Sequence, residues 1–220
     1  MSEGAARRSA RPAVRITHLF FDVGGVLGTG GWASAERARA VERFALDAAD
    51  FEKRHHEVVG MWEEGRMSLD EYLDHTIFGV PRPFSRKEFA AFMFAQSAPD
   101  PEAIRFVESL AATGCYRLMT INNESEALNV HRLRLFELHR MFHAFFSSCW
   151  LGVRKPSRRM FELALAMAQA APACAVFVDD RVYNLEPARK LGMQTVHFTG
   201  VPALRSTLKD MGVRAQCNSA

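Results

Sequence analysis

The order in which strand-like and helix-like segments follow one another constrains this chain most. From Tyr116 onward the two kinds alternate. Tyr116 to Ile121 reads as a strand and is followed by a helix near Ser125 to Arg134. Phe145 to Cys149 reads as a short strand, then comes a helix from Pro156 to Ala170. Ala173 to Val178 is a strand, Leu185 to Leu191 a helix, and Gln194 to Phe198 a last strand. Such alternation predicts a parallel sheet with helices on both faces. One more strand precedes it. Ile16 to Phe21 is apolar, β-branched and aromatic, the composition of a strand buried on both sides. It runs into Asp22, with Gly24 and Gly25 almost at once behind it.

Between this first strand and the alternating part lies a stretch of different character. Ala33 to about Ser97 has helical periodicity and hardly any strand signal. Ser34 opens a helix through Ala45, and Ala48 to Trp62 forms another carrying Phe51, Val58 and Met61. Ser68-Leu69-Asp70-Glu71 and Ser85-Arg86-Lys87-Glu88 both spell capping boxes, each opening a further helix. Asp100-Pro101 then caps and starts a helix to Ala112, since Pro fits a first helical turn. The predicted organisation is a tail over residues 1–14, a core formed by 15–32 and 98–220, and an all-helical insert over 33–97.

Bulk properties exclude several classes. No apolar run approaches the roughly 18 residues that a membrane helix needs. The N-terminal segment has arginines but no apolar stretch, so it is not read as a secretory signal. A formal charge of +3 is too small to argue for nucleic acid or a membrane surface as partner. Cys115, Cys149, Cys174 and Cys217 form no CxxC pair and no metal-ligand spacing. They read as thiols in a reducing cytoplasm.

Polar groups stand at or just beyond four strand ends: Asp22; Thr120, Asn122 and Asn123; Lys155; and Asp179-Asp180. The carboxyl ends of parallel strands share one rim, where open α/β sheets bind ligands. Carboxylates, amides and one lysine would then face a common pocket. Mg²⁺ binds through one or two carboxylates plus substrate phosphate oxygens, which suits Asp22 and Asp180. An ionised Asp can attack phosphorus to form an aspartyl-phosphate. Lys155 can stabilise the charge that develops, and Asn122 can donate to a phosphate oxygen.

At these residues the chain resembles the haloacid dehalogenase superfamily of hydrolases, particularly its phosphatases with a helical cap inserted after the first strand. The likeness covers Ile16 to about Val213. It rests on four segments in order: Phe20 to Leu27, Leu118 to Ser125, Arg154-Lys155-Pro156, and Val176 to Asn184. It implies a Rossmann-like core with a cap. It also implies Asp22 as nucleophile and metal ligand, Gly24 as a ligand through its carbonyl, and Asp180 with Asp179 beside it completing a Mg²⁺ site. Lys155 would be the phosphate-site lysine, with Asn122, Asn123 and Gly25 around the substrate. The substrate implied is a small phosphorylated metabolite.

The chain departs from the family pattern twice. Most of these phosphatases carry a second Asp two residues after the nucleophile as general acid and base; that position is Gly24 here. The second motif commonly ends in Ser or Thr, and either Asn122 or Thr120 fills its place. A histidine of the pair His55-His56 is one candidate to replace the missing acid. Trp32 either lines the substrate entrance or packs at the junction. Two rival functions follow from the same residues: a metal-free 2-haloacid dehalogenase, against which the Asp179-Asp180 pair argues, and a catalytically weak protein kept for binding a ligand or partner.

Overall fold

The computed structural model describes residues 15–214, so the expected tail over 1–14 lies outside the described residues. Five strands form one sheet: β1 (His18–Phe21), β2 (Arg117–Asn122), β3 (Ala144–Ser147), β4 (Ala175–Asp179) and β5 (Gln194–His197). All pairings are parallel, in the order β3-β2-β1-β4-β5. Phe21 lies opposite both Thr120 and Val178, which puts the ends of β1, β2 and β4 at one level. After β3 the chain crosses to the other side of β1. The crevice between β1 and β4 is therefore the topological switch point, where such sheets take ligands.

Strand periodicity assigns each side chain its layer. Leu19, Phe21, Leu118, Val176 and Val178 face one core, with α5 (Pro101–Ala111) and α10 (Val201–Asp210) against them. Phe20, Met119, Ile121 and Phe177 face the other, against α8 (Arg158–Met167) and α9 (Val182–Lys190). Helix α5 shows why the sequence folds this way. Ala103, Phe106, Val107 and Leu110 recur at helical spacing and are all buried, and each large apolar side chain so covered contributes about 1.5–3 kcal/mol. Its start is set by Asp100, whose carboxylate accepts from the N–H groups of Glu102 and Ala103, with Pro101 in the first turn.

Four helices fill the span between β1 and α5: α1 (Ser34–Phe44), α2 (Ala48–Glu63), α3 (Leu69–Thr76) and α4 (Arg86–Ala95). Both predicted capping boxes are present, Ser68 with Glu71 and Ser85 with Glu88. These helices share their own apolar cluster around Phe51, Trp62, Tyr72, Phe89 and Met93. The chain leaves the sheet and returns to it side by side: Thr29 donates to Ala98 O and Asp100 to Leu27 O, both at 2.9 Å. Two further helices lie in the β2 to β4 region, α6 (Glu126–Leu135) and the single turn α7 (Ser148–Leu151).

Three readings change. The strand expected through Cys149 stops at Ser147, because the Ser148 hydroxyl bonds Glu63 O at 2.6 Å and the chain turns into α7. Helix α10 was not anticipated, although Val201, Leu204 and Leu208 carry its buried face. Cys149 and Cys174 are free, whereas Cys115 is disulfide-bonded rather than a thiol. Among the described residues no helix is long and apolar enough to cross a membrane.

Candidate active site

Asp22 stands one residue beyond β1, with its N–H still bonded to Val178 O of β4 at 2.9 Å. The carboxylate is buried; its Oδ1 accepts the Val23 N–H at 2.8 Å and lies 2.9 Å from Lys155 Nζ. Lys155 comes from the loop between α7 and α8 and donates to Asp179 Oδ2 at 2.7 Å. That ammonium is only 3 % exposed as a residue, so two carboxylates in contact are what make its burial tolerable. Asn123 holds the lysine in place. Its Oδ1 accepts the Lys155 N–H at 2.8 Å and its Nδ2 donates to Lys155 O at 2.9 Å. Each end of this amide thus holds the lysine backbone, and one hydrogen on its Nδ2 stays uncommitted.

Asp179 is fully buried and its two oxygens are saturated. Oδ1 accepts from Arg181 N–H and Asn184 Nδ2, while Oδ2 accepts from Lys155 and Asn184. Asp180 contrasts with it: its Oδ1 is buried and has no partner. Asp22, Asp179 and Asp180 nevertheless bring ligand oxygens within 4.8 Å of one another. Three hard oxygen donors, one of them unpartnered, fit a divalent cation such as Mg²⁺. With Asp179 committed to Lys155, the free donors are Asp180 and Asp22.

The charges are mutually tuned. Burial pulls the Lys155 ammonium down, but Asp22 and Asp179 outweigh this and hold its pKa above the ordinary lysine range. Burial pushes the Asp22 carboxyl up to about 7, with Lys155 opposing the rise and Asp179 and Asp180 adding to it. Burial and then Asp179 push Asp180 up as well. An acid with a raised pKa binds its proton more tightly when folded, so its contribution to stability falls as pH rises from about 4 towards 7. In chelator, the stability of wild type relative to Asp22→Asn is therefore expected to decline across this window. Denaturant midpoints that stay parallel from pH 4 to pH 8 would contradict it.

The two glycines behind Asp22 differ in kind. Gly25 has φ +75°, and a Cβ there would meet Asp180 Oδ2 at 2.3 Å. Only glycine lets the loop pass this close to the acid. Gly25→Ala is expected to cost about 1–3 kcal/mol and to displace Asp180; an unchanged denaturation midpoint would refute this. Gly24 has no such need: a Cβ there meets Gly30 O at 3.5 Å and Arg132 Nη1 at 3.7 Å, ordinary contacts.

Above these residues opens a cavity of about 480 Å³ between the strand ends and the helical insert. Asp22, Gly24, Gly25, Asn122, Asn123, Lys155 and Asp180 all line it. Thr120 does not; it is buried in the sheet, its hydroxyl unpartnered. Asn122 is braced by Asn129, which accepts from its Nδ2 at 3.0 Å, and by Ser147, which donates to its Oδ1 at 3.0 Å. One amide hydrogen of Asn122 stays uncommitted.

The insert supplies the opposite wall. His55 lines the cavity, while His56 is exposed on the far side of its helix, its side chain 71 % accessible. Trp32 donates its indole N–H to Tyr72 at 2.9 Å, leaving the phenol proton for His55 Nδ1 at 2.8 Å. Burial, with Arg37 adding, pushes the His55 imidazole down to about 3. It is neutral near pH 7 and does not replace the missing acid as an imidazolium. Trp32 both packs, edge-on to Phe51 and Phe89, and lines the cavity.

Sequence reasoning missed Asn184, Ser147, Asn129 and the buried pair Glu124–Arg132, joined at 3.0 Å. Asn184 lies inside the fourth family segment and Glu124 inside the second, so position alone could have raised both. Ser147, Asn129 and Arg132 lie outside all four segments and carry no local signal.

A family model for haloacid dehalogenase-like hydrolases matches residues 16–192. The chain is 26% identical over 194 residues to the glyceraldehyde 3-phosphate phosphatase of Pyrococcus abyssi, covering 83% of this chain and 81% of the relative. It is 26% identical over 213 residues to pig bifunctional epoxide hydrolase 2, covering 88% of this chain but only 38% of that longer protein. A HAD-family enzyme of Bacteroides thetaiotaomicron, solved with magnesium and inorganic phosphate, superimposes with a TM-score of 0.67 at 20% identity, covering 82% of this chain and 93% of that one. An L-2-haloacid dehalogenase shares the fold with a TM-score of 0.60 at 19% identity, covering 82% of this chain and 83% of that one. With the matched span running from the first strand to the end of α9, this chain belongs to the haloacid dehalogenase-like hydrolases.

Proposed function

We propose that the protein is a Mg²⁺-dependent hydrolase of small phosphorylated metabolites that works through an aspartyl-phosphate on Asp22. The observation that carries this is the pairing of a buried strand-end carboxylate with Lys155 at 2.9 Å beside an unpartnered oxygen of Asp180. Asp22, Asp180 and the carbonyl of Gly24 would hold Mg²⁺. When bound, the cation neutralises phosphate charge and so lowers the repulsion a carboxylate meets on approaching an anion.

The chain's own groups do the rest. Asp22 attacks phosphorus, forming its own bond to it as the ester P–O bond breaks. Lys155, fixed by Asn123 and Asp179, stabilises charge on the transferring group. The uncommitted hydrogen of Asn122 donates to a phosphate oxygen. Water then attacks the phosphorus, releasing orthophosphate and regenerating the carboxylate. Residues 33–97 act as a cap that limits water and selects the substrate. The phosphatase of Pyrococcus abyssi supports the type of reaction.

A dehalogenase would use the same Asp22 against carbon, but an acid pair at Asp179-Asp180 has no evident use there. The test is a panel of phosphomonoesters and 2-haloacids, with Mg²⁺ and with chelator, comparing wild type with Asp22→Asn. Phosphate release that needs both Mg²⁺ and Asp22 is the expected result. Metal-independent halide release would reverse the assignment, and no turnover of any compound would favour a ligand-binding protein.

A further inference from the structure

An alkoxide leaving from phosphorus needs a proton, and none of the groups given a role above supplies one. The inference rests on the phosphatase reading and asks which cavity group does. Arginines hold their protons throughout the working range. Lys155 is locked between two carboxylates. His55 is neutral, and Glu63, like Glu124, pairs with an arginine but is the more open of the two, its side chain 22 % accessible against 8 %. Glu124 remains. It follows Asn122 and Asn123 on the loop after β2, lines the same cavity as Asp22, and is buried.

Its surroundings point it at the nucleophile segment. Glu124 Oε2 accepts from Arg132 Nη1 at 3.0 Å, and that same nitrogen lies 3.7 Å from where a Gly24 Cβ would sit. Oε2 is itself 3.0 Å from a Cβ placed at Gly31. Arg132 is anchored by Thr29 O at 2.5 Å, so the guanidinium ties Glu124 to the loop behind Asp22. The absence of a side chain at Gly24 leaves the room that the pair borders.

We propose that Glu124 is the general acid and base of this site, positioned by Arg132. Its carboxylic acid gives a proton to the leaving oxygen as the P–O bond breaks and Asp22 bonds to phosphorus. The resulting carboxylate takes a proton from the water that attacks phosphorus, so the cycle closes with Glu124 protonated again. The groups facing Glu124 are Arg132 of α6, Glu63 of α2, the Cys149 thiol of α7, Ser125 N–H, which donates to its Oε1, and the Ser148 hydroxyl of α7 against its main chain. Burial pushes its carboxyl up to about 7, against the pull of Arg132, which suits proton transfer near neutral pH.

The test compares p-nitrophenyl phosphate, whose leaving group needs no proton, with ethyl phosphate, whose leaving group does, in Mg²⁺. Glu124→Gln is expected to lower kcat/KM for the ethyl ester by about 10²–10⁴-fold and for the nitrophenyl ester far less. Gly24→Asp added to Glu124→Gln puts a new carboxylate beside Arg132 and is expected to recover much of the ethyl-ester rate. Wild type gives an independent readout should the variant not fold: its ethyl-ester kcat/KM falls above a pH of about 7, its nitrophenyl rate does not. Equal losses for both esters in a folded variant, or identical wild-type pH profiles, would overturn the role of Glu124 alone. A wild type inert towards both esters would overturn the phosphatase reading and this assignment with it.

Discussion

Asp22→Asn is expected to lower phosphomonoester turnover by about 10⁴–10⁶-fold, the range seen when a covalent nucleophile or a key partner is removed from a working site. The amide has no attacking carboxylate, yet it keeps the shape of the side chain. Its carbonyl oxygen can still accept the Val23 N–H that Asp22 Oδ1 accepts at 2.8 Å. Lys155 also keeps its bond to Asp179 at 2.7 Å, so the fold does not lose its buried ion pair. The variant therefore separates chemistry from stability. A loss below tenfold in a folded protein would mean that another group attacks phosphorus.

Lys155→Met is expected to fail on both counts. Methionine fills a comparable volume but leaves Asp179, wholly buried, without its cation. Breaking a buried pair by removing one partner costs about 3–5 kcal/mol. Asn184 and the Arg181 N–H remain on Asp179, so the loss falls short of complete abandonment. Turnover is expected to fall at least about 10²–10³-fold, as for other preorganised donors to developing charge. Denaturant melts and steady-state rates check the two effects separately. A stable variant with near-normal turnover would show that the lysine serves neither purpose.

Much of the fold was readable because its signals are local. Alternating strands and helices, two Ser-x-x-Glu boxes and Asp100-Pro101 each act within a few residues, and each matches an element of the structure. The rim of polar strand ends was readable for the same reason: a parallel sheet converts order along the chain into proximity. What escaped was pairing across distance. Arg132 looked like one more basic residue on a helix, but it contacts Thr29, 103 positions earlier in the chain. Asn123 reads as a phosphate donor, but its clamp on the Lys155 backbone, 32 positions away, carries no signal in the sequence. Gly24 and Gly25 are indistinguishable as letters. Only the backbone, with φ +75° at Gly25 and ordinary room at Gly24, shows which one must be glycine.

As the nucleophile, Asp22 carries a phosphoryl group during turnover. Acid quenching of wild type while it hydrolyses a phosphomonoester in Mg²⁺, followed by mass spectrometry of the peptide containing Asp22, measures this directly. One added phosphoryl group on Asp22, removed by hydroxylamine and absent in Asp22→Asn, is the expected result. Steady turnover with the phosphoryl group on another residue, or an Asp22→Asn protein that still turns over at the wild-type rate, would contradict it.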